Sequence, residues 1–314
     1  MLALQFIREN RNLIIEAQKK RNFNAETIID EIIKLDSLRR SNQTELESKL
    51  AKANIIAKEI GALFKAGNDK KAADLKNKSS ELKTSSKVIQ DKLNDLENKI
   101  LELRIQIPNL PNEDVPYGVS EKDNEEVFKS AKHINLTKQA LPHWELAEKY
   151  DIIDFDLGSK ISGSGFPVYK NKGARLQRAL INFFLDQNIS AGYNEFQVPH
   201  LVNADSGFGT GQLPDKDGQM YHSKEDDLYL IPTAEVPLTN LYRNVLLNEK
   251  DLPICITGYT PCFRREAGSY GAQVRGLNRL HQFDKVEIVR LETPEKSMKA
   301  LNEMVEHIKK ILYQ

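Results

Sequence analysis

The chain has 314 residues, 40% of them hydrophobic, which is enough for more than one domain with a buried core. Its 45 basic and 45 acidic residues cancel, so bulk charge does not mark a nucleic-acid binder, and two cysteines among six scattered histidines give no zinc spacing. No apolar run approaches membrane-spanning length and charges come too early for a secretory signal, so the expected location is the cytoplasm, with no membrane partner.

Residues 1–24 carry Leu4, Ile7 and Leu13 to Ile15 as an apolar side, and a short amphipathic helix and turn are predicted there. From Ile28 a three-and-four repeat begins: Ile28, Ile32, Leu35, a polar interruption at Arg39 and Asn42, then Leu46, Ala53, Ile56, Ile60 and Leu63. After the breaker AGNDKK a second series runs Leu75, Ser79, Leu82, Ser86, Ile89, Leu93, Leu96, Ile100, Leu103 and Ile107. Two helices, at about 28–65 and 72–107, therefore form a long antiparallel hairpin, each spanning about 55 Å at 1.5 Å per residue.

Between Lys49 and Lys92 eleven Lys and no Arg stand against five acidic residues, an excess of six positive charges in a neutral chain. On charge alone, a solvated lysine-rich helix and a phosphate-contacting arm explain this equally well. A dimerisation coil is the other reading of the repeat. A hairpin that satisfies its own seam argues against it, because the lysine-rich outside stays free for a partner.

PNLPNEDVP (Pro108 to Pro116) ends the second helix, since proline cannot continue it. The expected organisation is an N-terminal domain over residues 1–108, a linker over 109–120 and a second domain over 121–314. In that domain LPHWELAEKYDIIDFD reads as a helix running into an edge element. SGSG follows as a turn, since neither GK[ST] nor GxGxxG accompanies it, then a strand and a helix from Ala174 to Gln187. DLYLIP is a short strand, and TAEVPLTN starts a helix capped by Thr233 with Glu235 in its first turn. The final helix, beginning near Pro294, is predicted to bury Met298, Leu301, Met304 or Val305, and Ile308.

The most informative stretch runs from Ile254 to Val289. Two β-favouring runs, 254–263 and 280–289, flank a long loop rich in Gly, Ser, Asn and Arg, which reads as an antiparallel hairpin. Alternation puts Arg264 and Glu266 on one face of the incoming strand. Arg279, His281, Phe283, Lys285 and Glu287 share one face of the outgoing strand, with Leu280, Val286 and Ile288 opposite as core. A half-buried sheet with a wet side would produce the same alternation. Guanidinium groups that fork onto phosphate, an aromatic ring that stacks on a base, and a loop too long for an ordinary hairpin point instead to a nucleotide site. Glu287 offers a carboxylate to an ammonium or hydroxyl. Cys255 and Cys262 are expected to be small buried hydrophobes in a reducing compartment.

FRREAGS followed by RGLNRLHQFDKVE resembles motif 2 of the class II aminoacyl-tRNA synthetases, in the form used by seryl-tRNA synthetases of bacterial type. IPNLPNEDVPYG resembles the linker between arm and body in that family. The helix running into GYNEFQVPHLV, ending at Pro199, resembles the looser motif 1, which in the family makes a homodimer. The resemblance implies an α+β protein: a coiled-coil arm, then a catalytic domain built on an antiparallel sheet. It implies ATP-dependent ligation of L-serine to serine tRNA through a seryl-adenylate, extending to serylation of selenocysteine tRNA.

Carried over by residue, the resemblance gives Arg264, Glu266 and Arg279 catalytic roles. Arg264, Arg265, Glu266, Arg279 and Phe283 would bind ATP, the substrate. Thr233, Ala234, Glu235, Arg264 and Glu287 would bind serine, and Ser269, Tyr270 and Gln273 in the motif 2 loop would touch the tRNA acceptor stem. His281 and Lys285 are expected to be structural or peripheral. No metal ligand is assigned in this chain; Mg2+ is expected in the reaction, with its main ligand beyond residue 314. Nothing resembling motif 3 follows, so the chain is expected to lack about the last quarter of the enzyme and to be inactive alone, with sheet edges left unpaired. Two other readings are a synthetase-like scaffold without catalysis and a carrier-protein ligase; the full arm argues against the second.

Overall fold

The computed structural model describes residues 1–130, 136–137, 139–266 and 275–314. They form two compact units, 1–133 and 134–314. Residues 121–130, assigned from sequence to the second domain, group with the first unit.

The first unit opens with α1 (Leu4–Glu9) and α2 (Arg11–Lys19), two helices where one was predicted. The break at Asn10 turns the chain, so Ile7 and Ile14 are fully buried while Leu13, expected inside, is 55% exposed. Next come α3 (Glu26–Lys65) and α4 (Asp69–Arg104), each far longer than an average helix, at roughly 60 and 54 Å by the rise per residue. Gly67, at φ +71°, stops α3: the N–H of Asn68 returns to the carbonyl of Leu63 at 3.0 Å, and α4 begins one residue later.

The seam follows the repeat. Ile32, Leu46, Ser86, Ile89, Leu93 and Ile100 are buried, whereas Ala53, Ile56, Ile60 and Leu63 toward the tip are only half-buried. The root is the well-packed end, with Ile29, Ile32, Ile100 and Ile107 closing on Ile7 and Ile14. Within it Asp36 is fully buried. Arg8 and Arg39 both reach it at 2.7 Å, so the polar interruption near Arg39 is a buried ion cluster.

Among the described residues the second unit has three small sheets. Helix α5 (His143–Lys149) leads to β1 (Ile153–Asp154), then α6 (Phe155–Ser162), which sequence reading missed, and β2 (Val168–Tyr169), antiparallel to β1. The Asp154 carboxylate caps α6 by accepting from the Leu157 N–H at 2.9 Å. Helix α7 (Asn171–Ser190) precedes β3 (Asn194–Glu195), β4 (Leu201–Val202) and α8 (Ala204–Gly209). Then follow β5 (His222–Ser223), β6 (Leu228–Leu230), α9 (Glu235–Asn240), β7 (Ile254–Phe263), β8 (Gln282–Leu291) and α10 (Ser297–Tyr313).

The central sheet has the order β3–β7–β8, and β4–β6–β5 forms another. β7 and β8 make an antiparallel ladder from Ile254↔Leu291 to Phe263↔Gln282, the predicted hairpin; β3 joins it in parallel, so the sheet is mixed. Val286 and Ile288 are half-buried rather than fully inside. The buried strand is β7, with Ile256, Thr257, Thr260 and Cys262 at 0% exposure; β3 pairs with it at Ile256 and Thr257.

Helix α10 buries a different stripe from the one predicted. Ala300 and Ile311 are buried, with Met304 and His307 half-buried, while Met298, Leu301, Val305 and Ile308 are 42–51% exposed. The helix carries two apolar stripes, and the one that includes Ala300 and Ile311 is the one buried.

Candidate active site

The register of β7 and β8 fixes which side chains meet. Phe283, Lys285 and Glu287 lie opposite Cys262, Thr260 and Gly258, so all six share one face of the ladder. Beyond Phe263 the pairing continues for one more bond, from the Arg264 N–H to the His281 carbonyl at 2.9 Å, which carries Arg264 onto the same face. Its guanidinium lies 5.1 Å from the centre of the Phe283 ring, in cation–π geometry.

The end of β6 is brought alongside. The Phe263 N–H donates to the Ile231 carbonyl at 2.9 Å, and Arg264 Nε donates to the Pro232 carbonyl at 3.4 Å. Thr233 follows at once, and its hydroxyl donates to Glu287 Oε2 at 2.7 Å while accepting from Lys285 Nζ at 2.7 Å. Lys285 and Glu287 also form a direct ion pair. Consecutive residues, Pro232 and Thr233, thus tie an arginine over an aromatic ring to a hydroxyl, an ammonium and a carboxylate. Such a surface can hold an anion and a small polar amine side by side.

Glu266 stands in the left-handed region at φ +49°, and its carboxylate takes the Arg279 guanidinium at 2.7 Å. The structure therefore pairs two groups that the motif assigns to adenine and to the distal phosphates. Arg265 points away on the opposite parity and is exposed; its N–H donates to the Gln219 carbonyl at 2.8 Å. Ala234 is fully buried with Leu238, Ile256 and Val198, which leaves only its backbone for a ligand. Glu235 is exposed in the first turn of α9, its N–H bonded to the Thr233 hydroxyl at 3.2 Å. Ser269, Tyr270 and Gln273 lie outside the described residues.

Lys285, expected to be structural or peripheral, sits in the Thr233–Glu287 cluster. His281 stacks on Phe166 at 5.2 Å and shares a 2.8 Å hydrogen bond with the Tyr221 hydroxyl, which fixes the end of β8. Both cysteines are free thiols; burial pushes each above its ordinary pKa, and Cys262 is wholly enclosed.

Comparison with known proteins adds independent information. Residues 1–111 match the model of the seryl-tRNA synthetase N-terminal domain, and residues 219–314 match that of the class II tRNA synthetase core domain (G, H, P, S and T). The serine–tRNA ligase of Salinibacter ruber is 44% identical over 306 residues, 98% of this chain and 72% of that protein. The chain belongs to the serine–tRNA ligase family.

The ligase of Thermotoga neapolitana is likewise 44% identical, over 99% of this chain and 73% of its own length. The solved structure of the Pyrococcus horikoshii seryl-tRNA synthetase, complexed with ATP, superposes with a TM-score of 0.85 at 31% identity, covering all of this chain and 74% of that one. As a member of the serine–tRNA ligase family the chain is an aminoacyl-tRNA ligase of class II, and its helical arm lies in the stretch that matches the seryl-tRNA synthetase N-terminal domain.

Proposed function

We propose that this chain carries the face, shared by Arg264, Phe283, Lys285, Glu287 and Thr233, on which the whole protein activates L-serine with ATP and transfers it to serine tRNA, selenocysteine tRNA included. The observation that carries the reading is the junction at Pro232 and Thr233, which links the arginine–aromatic pair to the hydroxyl–carboxylate cluster. The relative from Pyrococcus horikoshii was solved with ATP, which supports ATP as the substrate here.

In the first step a serine carboxylate oxygen attacks the α-phosphorus in line. A P–O bond forms to give seryl-adenylate as the bond to pyrophosphate breaks. In the second, a hydroxyl at the 3′ end of the tRNA takes the seryl group and AMP leaves. Two anions must approach in the first step, so the protein's task is positioning and charge neutralisation. Arg264 is proposed to bridge the serine carboxylate and the α-phosphate, and Phe283 to stack on adenine. Glu266 accepts from the adenine amino group, with Arg279, and Arg265 at the rim, toward the distal phosphates. Glu287 takes the serine ammonium and Thr233 its hydroxyl, with Glu235 beside them. A site with buried hydroxyl partners rejects alanine by leaving those partners unpaired.

Mg2+ is expected with ATP. Among the described residues no three His, Cys, Asp or Glu side chains gather as a metal site. The lysine-rich arm is proposed to carry tRNA, with residues 1–108 as the tRNA-binding domain, 109–120 as linker and 121–314 as catalytic domain. Exposed Leu176 and Leu180 on α7 support a homodimer through the motif 1 element, which sedimentation velocity tests. Among the described residues no helix is long and apolar enough to cross a membrane, and a cytoplasmic location is proposed.

The test is serine-dependent pyrophosphate exchange in the whole protein. Arg264→Ala should abolish exchange while leaving the circular dichroism spectrum intact. Full exchange by a folded Arg264→Ala protein refutes the assignment.

A further inference from the structure

Behind the proposed serine site, on the opposite face of β7, a line of hydrogen bonds joins four elements: β8, β7, α7 and α10. Thr257 and Asn188 are 0% and 2% exposed. The Thr257 hydroxyl donates to the main-chain carbonyl of Glu287 at 2.8 Å and accepts from Asn188 Nδ2 at 2.9 Å. Asn188 Oδ1 then meets His307 Nε2 at 2.8 Å.

The proton positions follow from one fact, that a carbonyl only accepts. Thr257 must therefore give its single proton to Glu287, Asn188 must turn its amino group to Thr257, and His307 must carry its proton on Nε2. Every donor in the line faces β8. Burying these groups is costly unless each is satisfied, and an apolar trio would pack the same space without that cost. Here the last acceptor is the backbone of the residue whose side chain faces serine.

His307 is held from its own side. Its ring stacks on Tyr193 at 5.7 Å with a 21° tilt, at the edge of a cavity of about 770 Å³ that Arg290, Glu303, Glu306 and Lys310 also line. Burial, and then the charge of Lys310, pushes its pKa below the ordinary histidine value, which keeps a neutral ring with one N–H to give. Arg290 is occupied by Glu292 and Glu303 at 2.8 and 2.6 Å.

We infer that Thr257, Asn188 and His307 are positioning residues for serine recognition: they set the height of the Glu287 backbone, and so of its carboxylate, without touching either substrate. This rests on the reading of Glu287 as the ammonium site. The line reaches Glu287 and stops, so its loss should weaken serine and spare ATP. A chain that only held the unit together would weaken both.

The experiment is pyrophosphate exchange by the whole protein, with KM measured separately for serine and ATP. Thr257→Val is nearly isosteric but lacks the hydroxyl; it should raise the serine KM by about ten- to a hundredfold, the scale of a misplaced contact, with the ATP KM within about twofold. Thr257→Ser restores the donor and should restore the serine KM. Should Thr257→Val not fold, His307→Phe keeps the stack on Tyr193 and removes the donor, while His307→Gln keeps a donor. The same split is expected, with Phe impaired and Gln near the parent. An unchanged serine KM in Thr257→Val or His307→Phe, or an equal rise for ATP, overturns the inference. Glu287→Gln separates the two layers. If it leaves the serine KM unchanged, the ammonium-site reading fails and the inference with it. If it raises the serine KM while Thr257→Val and His307→Phe do not, only the inference fails.

Discussion

Replacing Asp36 by Asn tests whether the arm is anchored at its root by charge. The carboxylate has no exposed surface and accepts three bonds: from Arg8 Nη1 at 2.7 Å, and from Arg39 Nε at 3.0 Å and Nη2 at 2.7 Å. Burial works to raise its pKa, but the bonds from Arg39 and Arg8 more than offset this and hold the carboxyl below its usual range. Removing one partner of a buried pair costs roughly 3–5 kcal/mol, and here both guanidiniums remain 24–30% exposed and can rehydrate, so about 2–3 kcal/mol is expected. With a urea slope of about 1.5 kcal/mol/M, the midpoint of arm unfolding should fall by about 1.3–2 M. Far-UV circular dichroism follows the helices, and amide exchange at residues 26–40 localises the loss. Because the folded pKa is depressed, the stabilisation is present above the ordinary carboxylate pKa and is lost as pH falls through the folded value. The parent and Asp36→Asn curves should therefore converge in acid. An unmoved midpoint at neutral pH, or a gap that persists in acid, would refute the anchor.

Glycines give two predictions of opposite sign. A Cβ on Gly158 would lie 1.5 Å from the Phe166 carbonyl oxygen, which is main chain and cannot swing aside, so Gly158→Ala should cost about 3 kcal/mol, seen as a lower thermal midpoint of the second unit. Gly61 in the exposed arm meets nothing within 4 Å, so Gly61→Ala should stabilise α3 by about 0.5–1 kcal/mol in the same assay. With no exposure and a raised pKa, the Cys262 thiol should resist a disulfide reagent at mildly alkaline pH until the chain unfolds; fast labelling of the folded protein contradicts its burial. Changing Lys70, Lys71, Lys76 and Lys78 to Gln should weaken tRNA binding and flatten its log–log salt dependence by about 0.7–0.9 for each phosphate no longer neutralised, with pyrophosphate exchange intact. An unchanged salt slope removes these lysines from the RNA interface.

The arm was legible because its repeat is long, and each heptad position repeats the same vote. The central hairpin was legible because a period of two assigns every side chain to a face. Where reading failed, the deciding contact is remote in sequence. Asp36 looks like an ordinary surface acid until Arg8, 28 positions away, is folded against it. Lys285 has the right parity, but parity alone does not show its place in the cluster, because its bond to Thr233 spans 52 positions and depends on β6 lying beside β7. Helix α10 has two apolar stripes at the same spacing, and sequence alone carries no rule for which meets the sheet. Helix α6 was missed although Asp154 and Gly163 bracket it as a cap and a stop, a signal hidden by its shortness.

The two faces of the β7–β8 ladder divide the demands of the site between them. The front must keep Arg264, Lys285 and Glu287 hydrated enough to exchange partners when substrate arrives, and these side chains remain partly exposed, with Lys285 at 32% and Glu287 at 23%. Mobility there would blur selection of a substrate as small as serine unless the backbone beneath is stiff. Stiffness comes from the back, where Tyr259 donates to Asp284 at 2.5 Å, Gln177 of α7 bonds the same carboxylate, and Thr257 grips the Glu287 carbonyl. Polar groups suit that role better than aliphatic packing, since a hydrogen bond specifies a distance and a direction while apolar contact specifies little more than volume. The alternation that makes a strand legible in sequence also lets one residue, Glu287, present a responsive side chain forward while its main chain is fastened behind.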